Sequence, residues 1–321
     1  MSNSSPFDVG ASTWLWDELC DAELPNPGFV VKDLLPQGGR MLVYGDTGTY
    51  KSTCILTMAA EIAKGGLWMG KFPCRPGKVC YFSTHDMSLN EWRKERFMPG
   101  QEKLTPEVRS RIQLTHFDQV IPIETVAYLS EEDRPRWVQR ARDHKPAVVV
   151  VDVVAETTRL KANENDTPGR VMTAWSALFD FTPAFIFLHH ERKVTLSWNG
   201  KVEIAKQAYS GAHEWLAMCS TGLRIESEPT SLNRTMHFVK ARNNHEIEGV
   251  KLSFNVEDWP FAAVGDKLWT KVWNLLEKFP DEPEKVAKIA SGKQTTTENA
   301  RKKVEEILEV REMQKEFLDG G

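Results

Sequence analysis

Met41-Leu42-Val43-Tyr44-Gly45-Asp46-Thr47-Gly48-Thr49-Tyr50-Lys51-Ser52-Thr53 joins a short apolar run to a glycine-bearing loop, then to a lysine and two hydroxyl residues that open a helical pattern. Each part has a physical reason. The apolar run has strand character, the loop leaves backbone N–H groups bare, and a helix N-terminus adds unpaired N–H groups and the positive end of its dipole. Together they cradle phosphate oxygens. The spacing follows the P-loop pattern Gly-x-x-x-x-Gly-Lys-Ser/Thr, which places Lys51 on the β- and γ-phosphates and Ser52 on magnesium. Gly45, Asp46, Thr47, Gly48, Thr49, Tyr50, Lys51, Ser52 and Thr53 are therefore the candidate nucleotide-binding residues, with ATP and Mg2+ as the implied ligands. One position departs from the pattern: Tyr50 stands where glycine is standard, and its side chain would crowd the phosphates. Gly48 keeps one permissive backbone position.

Working outward, apolar spacing predicts a helix over 52–64 ended by Gly65-Gly66. The runs 78–83, 147–151 and 184–189 are almost continuously apolar, as parallel strands covered on both faces require, and 169–181 has a helical pattern between the last two. Two further strands are expected at 235–239 and 250–254. The fold class is thus α/β, a central and mostly parallel sheet flanked by helices.

Residues 1–37, rich in Trp and Pro (Trp14, Trp16, Pro25, Pro27, Pro36), read as an irregular arm, 38–262 as the core, and 266–321 as a helical module. Within that module, helices are expected from 267, over 283–290 and over 296–310. The turn at Ser291-Gly292, followed by Thr295, Thr296, Asn299, Arg301 and Lys302, resembles a helix-turn-helix. A small bundle for subunit packing explains it equally well.

The chain has 321 residues, 41% of them hydrophobic, enough for one large core and a small appendage. A net charge of -4 excludes a chain that coats nucleic acid by bulk positive charge, and leaves that task to local patches. Cys20, Cys54, Cys74, Cys80 and Cys219 form no Cys-x-x-Cys pair, which argues against a zinc site or a disulfide framework and for a reducing cytoplasm. The start lacks a basic cluster followed by an apolar run, and no stretch approaches about eighteen apolar residues, so a soluble, unexported protein without a membrane partner is expected.

Two more segments complete a constellation. Val148-Val149-Val150-Val151-Asp152 is an apolar strand ending in a carboxylate suited to the magnesium shell. Phe185-Ile186-Phe187-Leu188-His189-His190-Glu191-Arg192-Lys193 is an apolar strand ending in two histidines with a lysine close behind. The order of elements resembles the RecA-like ATPases and, within them, the RepA and DnaB-type replicative helicase ATPases, with the plasmid and phage RepA-like group nearest. The resemblance spans about residues 34–254. It implies that a strand-end polar residue, here His190, senses the γ-phosphate.

Phe238-Val239-Lys240-Ala241-Arg242-Asn243-Asn244 is similar to the Lys-x-Arg-Asn motif that DnaB-type ATPases project into a neighbouring subunit's nucleotide site. By that resemblance Lys240 and Arg242 act in trans, where an arginine stabilises charge on the γ-phosphoryl group as its bond breaks. The family's water-orienting glutamate is replaced in Val79-Cys80-Tyr81-Phe82-Ser83-Thr84-His85-Asp86: His85 takes its place and Asp86 follows. Either serves as the candidate base, with Glu156 next.

In RecA-like assemblies two loops line the nucleic-acid channel, and the matching segments are 159–166 and 192–207. The second carries Arg192, Lys193, Lys201 and Lys206 around Trp198, a basic and aromatic mix suited to a phosphate backbone and a stacked base. The resemblance implies an ATPase that self-associates into a ring or filament and acts on single-stranded DNA as a replication helicase. Its alternatives are an assembly or loading switch with weak hydrolysis, and a RecA-like recombination or repair ATPase.

Overall fold

The structure, a computed structural model, describes residues 28–84, 88–94, 104–160, 166–190, 212–227, 233–242, 251–255, 271–272, 275–276, 278–291 and 296–319. In chain order the main elements are β1 (Phe29–Val31), β2 (Leu35–Pro36), β3 (Arg40–Gly45), α1 (Lys51–Lys64), β4 (Leu67–Trp68), β5 (Phe72–Pro73), β6 (Val79–Ser83), β7 (Ile112–His116) and α2 (Arg136–His144). They continue with β8 (Val148–Asp152), α3 (Thr167–Ala177), β9 (Ala184–His190), α4 (Ala212–Ala217), β10 (Thr221–Ser227), β11 (Asn233–Ala241), β12 (Lys251–Asn255), α5 (Pro283–Ala290) and α6 (Thr297–Asp319).

Eight strands form one sheet in the order β12-β11-β10-β3-β9-β8-β6-β7. From β10 to β7 neighbouring strands run parallel; β11 and β12 add an antiparallel edge. Alternation along the strands divides the core. Met41, Val43, Tyr81, Val148, Val150, Ile186 and Leu188 pack on one face with α1, whereas Leu42, Tyr44, Phe82, Val149, Val151 and Phe187 pack on the other with α2 and α3. This two-sided burial is why β3, β6, β8 and β9 read as unbroken apolar runs.

Only Thr53 and Lys64 of α1 escape burial. Its side chains Ile55, Met58 and Ile62 are fully enclosed, each worth about 1.5–3 kcal/mol in removed apolar surface, so the helix that follows the glycine loop is pinned along its length. Gly65 closes it in the left-handed conformation, its N–H reaching the Glu61 and Ile62 carbonyls.

The part of the arm that is described, residues 28–37, is not irregular: β1 and β2 pair antiparallel, and Val30, Val31, Leu34 and Leu35 enter the main core. Three expected boundaries move. The helix between β8 and β9 covers Thr167–Ala177 rather than 169–181, β11 is longer at both ends than 235–239, and α6 continues to Asp319 because no glycine or proline interrupts it before Gly320.

Val272, Leu276, α5 residues Val286, Ala287 and Ala290, and α6 residues Ala300, Val304 and Ile307 form a separate small core, with Leu67 packed against it. The expected turn at Gly292 lies outside the described residues. Arg301 hydrogen-bonds both carboxylate oxygens of Glu284, at 3.0 Å each, and Glu298 at 3.2 Å. A side chain expected to face DNA in a helix-turn-helix is thus engaged within the module. Among the described residues, no helix is long and apolar enough to cross a membrane.

Candidate functional site

The carboxyl ends of the parallel strands bring the sequence motifs together. Gly45 at the end of β3 pairs with His190 at the end of β9, and Asp152 at the end of β8 pairs with Ser83 at the end of β6. The chain leaves β3 through α1 toward β6, passing β9 and β8, while β10 flanks β3 on the other side. A strand with neighbours leading off in opposite directions opens a crevice at its carboxyl end, the usual ligand position in such sheets.

Residues 45–50 turn through this crevice. Gly45 (φ 155°) is there because a Cβ would lie 2.2 Å from the Ile225 carbonyl oxygen of β10. Thr49, buried, donates its hydroxyl to the Asp46 carbonyl at 2.8 Å. Helix α1 then opens with no side-chain N-cap bond and no acidic residue in its first turn. No capping side chain or carboxylate there competes with an anion for the positive end of the helix dipole.

Lys51, 5% exposed, points back over the loop: Nζ donates to the carbonyls of Gly45 at 2.9 Å and Asp46 at 2.7 Å and stands 3.4 Å from His190 Nδ1. Of the two strand-end histidines, His190 therefore meets the loop. His189 turns away, with Nδ1 2.7 Å from the His190 carbonyl oxygen and its ring 5.7 Å from that of Trp215.

Asp152, 6% exposed, is tied to the loop by a residue that sequence reasoning passed over. Tyr81 donates its hydroxyl to Asp152 Oδ2 at 2.6 Å and stands 3.4 Å from the Ser52 carbonyl oxygen. A tyrosine inside an otherwise apolar strand was the available signal, because a buried phenol needs a polar partner. Thr84 braces the same carboxylate strand: its N–H donates to the Asp152 carbonyl at 2.8 Å, and its hydroxyl accepts from Val153 N–H at 3.1 Å. Tyr81→Phe is expected to leave Asp152 short of a buried donor and lower unfolding free energy by about 1.5–3 kcal/mol. Urea denaturation checks this; an unchanged midpoint would mean the bond carries no net stability.

Tyr50 is the irregular point of the loop. It adopts the left-handed conformation (φ 65°, ψ 27°), which costs a non-glycine residue about 1–2 kcal/mol. The residue is 40% exposed and its ring lies under the Arg234 guanidinium, with Cζ 5.0 Å from the ring centroid. Such a stack is worth about 0.5–2 kcal/mol, comparable with the strain.

Lys240 and Arg242 are not brought to this crevice. Ala241 between them pairs with Thr221, which pairs in turn with Met41, at the amino end of β3 and about 13 Å along the strand from Gly45. Lys240 donates to the carbonyls of Leu216 at 2.6 Å and Ala217 at 3.1 Å, and Arg242 to Ala217 at 2.9 Å. Both cations cap the carboxyl end of α4, where the dipole favours positive charge. His85, Asp86 and the segment 192–207 with Trp198 lie outside the described residues. Burial pushes the thiols of Cys80 and Cys219 up to about 12 and raises those of Cys54 and Cys74 as well, so all four stay protonated.

Solved structures to which the chain is similar include a KaiC-like protein from the archaeon Pyrococcus horikoshii (13% identity, 75% of this chain and 98% of that one, TM-score 0.46). The RadB recombinase is another (18%, 71% and 91%, TM-score 0.42), as is the flagellar accessory protein FlaH from Methanocaldococcus jannaschii (11%, 71% and 90%, TM-score 0.45). No curated protein matches in sequence. The family model described as AAA domain matches residues 4–195, more than half of the 321 residues. The chain belongs to that AAA domain family.

Proposed function

We propose that the protein is an oligomeric ATPase that hydrolyses ATP at subunit interfaces and acts on single-stranded DNA, as a replication helicase or helicase-like protein of the RepA/DnaB type. The observation that carries the ATPase part is the meeting of Lys51, His190 and the Tyr81-linked pair of Ser52 and Asp152 at the carboxyl ends of the parallel strands. In this reading Lys51 moves from the loop carbonyls to the β- and γ-phosphates, Ser52 and Asp152 hold Mg2+, and His190 reports the γ-phosphate. In this reading phosphate oxygens and water would complete the shell of Mg2+. Bound ATP supplies the phosphoryl group; the chain positions it and the attacking water, the latter through Asp86 or His85.

The DNA part rests on sequence: the basic and aromatic composition of 192–207 and the motif at Lys240 and Arg242. Division into a core over 38–262 and a helical module over 266–321 belongs to the same proposal, supported by the separate small core of the module. Tyr50 in its strained conformation favours one second reading, a nucleotide switch for assembly or loading that turns over slowly.

ATPase rate with and without single-stranded DNA, alongside the mass of the assembly, tests the proposal. Stimulation by DNA in a ring or filament is expected. A monomer whose slow rate ignores DNA would favour the switch. In binding assays Trp198→Ala should weaken DNA affinity at every salt concentration, by the roughly 1–3 kcal/mol of one stacked base, while Lys201→Ala with Lys206→Ala should flatten the salt dependence. Unchanged affinity in both would sink the channel assignment.

A further inference from the structure

Strand β10 runs past the end of β3: Arg224 is its last residue paired with β3, at Tyr44, and Ile225, Glu226 and Ser227 continue beyond. The hairpin of β10 and β11 thus overhangs the phosphate loop. At the last described pair of these two strands Arg234 stands opposite Ser227, and its guanidinium, in a residue only 8% exposed, covers the Tyr50 ring. The loop residue under this cation is the one that carries a side chain where the left-handed backbone favours glycine.

We infer that Arg234 is a positioning residue for nucleotide binding, holding Tyr50 in the left-handed conformation that aims the loop N–H groups and the start of α1 at the phosphates. The inference rests on the proposed nucleotide site. Glycine reaches this conformation unaided. A tyrosine must be held there, and the aromatic face offers the handle: it binds a guanidinium without supplying a negative charge that would repel phosphate. Tyr50 and Arg234 together then replace what a glycine does alone. The cation also ties the loop to the β10–β11 hairpin, so a shift of that hairpin would be felt at the phosphates.

The test is a double-mutant cycle on the full chain, read by the affinity for a fluorescent ATP analogue with Mg2+ and by thermal unfolding without nucleotide. Arg234→Ala should weaken affinity by roughly two- to thirtyfold, the range expected when such a stack is lost. With Tyr50→Gly already present, Arg234→Ala should cost little further, because nothing remains to be held. Should Arg234→Ala fail to fold, Tyr50→Leu and Tyr50→Phe give the same information, the leucine losing more affinity than the phenylalanine, which keeps the ring.

In the unfolding arm, Tyr50→Gly should raise the melting temperature more in the Arg234→Ala background than in the parent. The entropy that glycine adds to the unfolded chain is common to both backgrounds and cancels. Equal losses on Arg234→Ala whether residue 50 is Tyr or Gly, in both arms, would overturn the inference. Absence of nucleotide binding by the parent with coupling intact in the unfolding arm would instead overturn the nucleotide reading, and leave Arg234 holding Tyr50.

Discussion

Lys51→Ala is expected to remove ATP turnover, with a loss of at least about a hundredfold, while leaving a folded chain. The ammonium is poised over Gly45 and Asp46 by two short bonds to neutral carbonyls, which a phosphate would replace with charge-assisted ones. Removing one preorganised donor from a site where charge develops typically costs about 10²–10³ in kcat. The fold should survive because α1 is held by Ile55, Met58 and Ile62 rather than by its first residue. Steady-state hydrolysis and circular dichroism check the two halves. A mutant that is well folded and hydrolyses ATP at the parental rate would remove Lys51 from the site.

How far the site was legible depended on whether its signals were local. Strands β3, β6, β8 and β9 are buried on both faces, so their sequences are apolar throughout and announce themselves. Strand β7, Ile112–His116, lies at the sheet edge with every residue only half-buried, and its Gln113 and Thr115 hide it. β10 was missed because Gly222, Arg224 and Glu226 interrupt the apolar residues; its place beside β3 is set by pairing across about 180 residues of chain. The hairpins β1–β2 and β4–β5 are two or three residues per strand, too short for any period to show.

At the site itself, the loop and the two strand ends could be read, but their coupling could not. Tyr81 reaches Asp152 across 71 positions of sequence, and Arg234 reaches Tyr50 from a strand on the far side of β10. Tyr50 was legible as a departure from the glycine pattern, though only the structure supplies its partner. The sequence likewise placed Lys240 and Arg242 in a motif without saying which end of the sheet they occupy. That position decides what they can do.

Because Arg242 lies at the opposite end of β3 from Gly45, any action on phosphate has to be on a neighbouring subunit's nucleotide. Arg242→Ala should therefore bind ATP as the parent does, since its own loop is intact. Its fold should hold too, because Lys240 still donates to the Ala217 carbonyl that Arg242 gives up. Turnover should fall by about 10³ or more, the usual worth of an arginine supplied in trans. Mixing then separates action in trans from simple damage.

Neither Arg242→Ala nor Lys51→Ala subunits should be active alone. In an equal mixture, about a quarter of head-to-tail interfaces would join an intact Lys51 on one side to an intact Arg242 on the other. Part of the activity should return on mixing, in proportion to those interfaces and only at protein concentrations where subunits associate. Full activity of Arg242→Ala alone would mean that the phosphate is served from within the subunit or by another residue. A mixture as inactive as its components would mean that Arg242 serves only to cap α4.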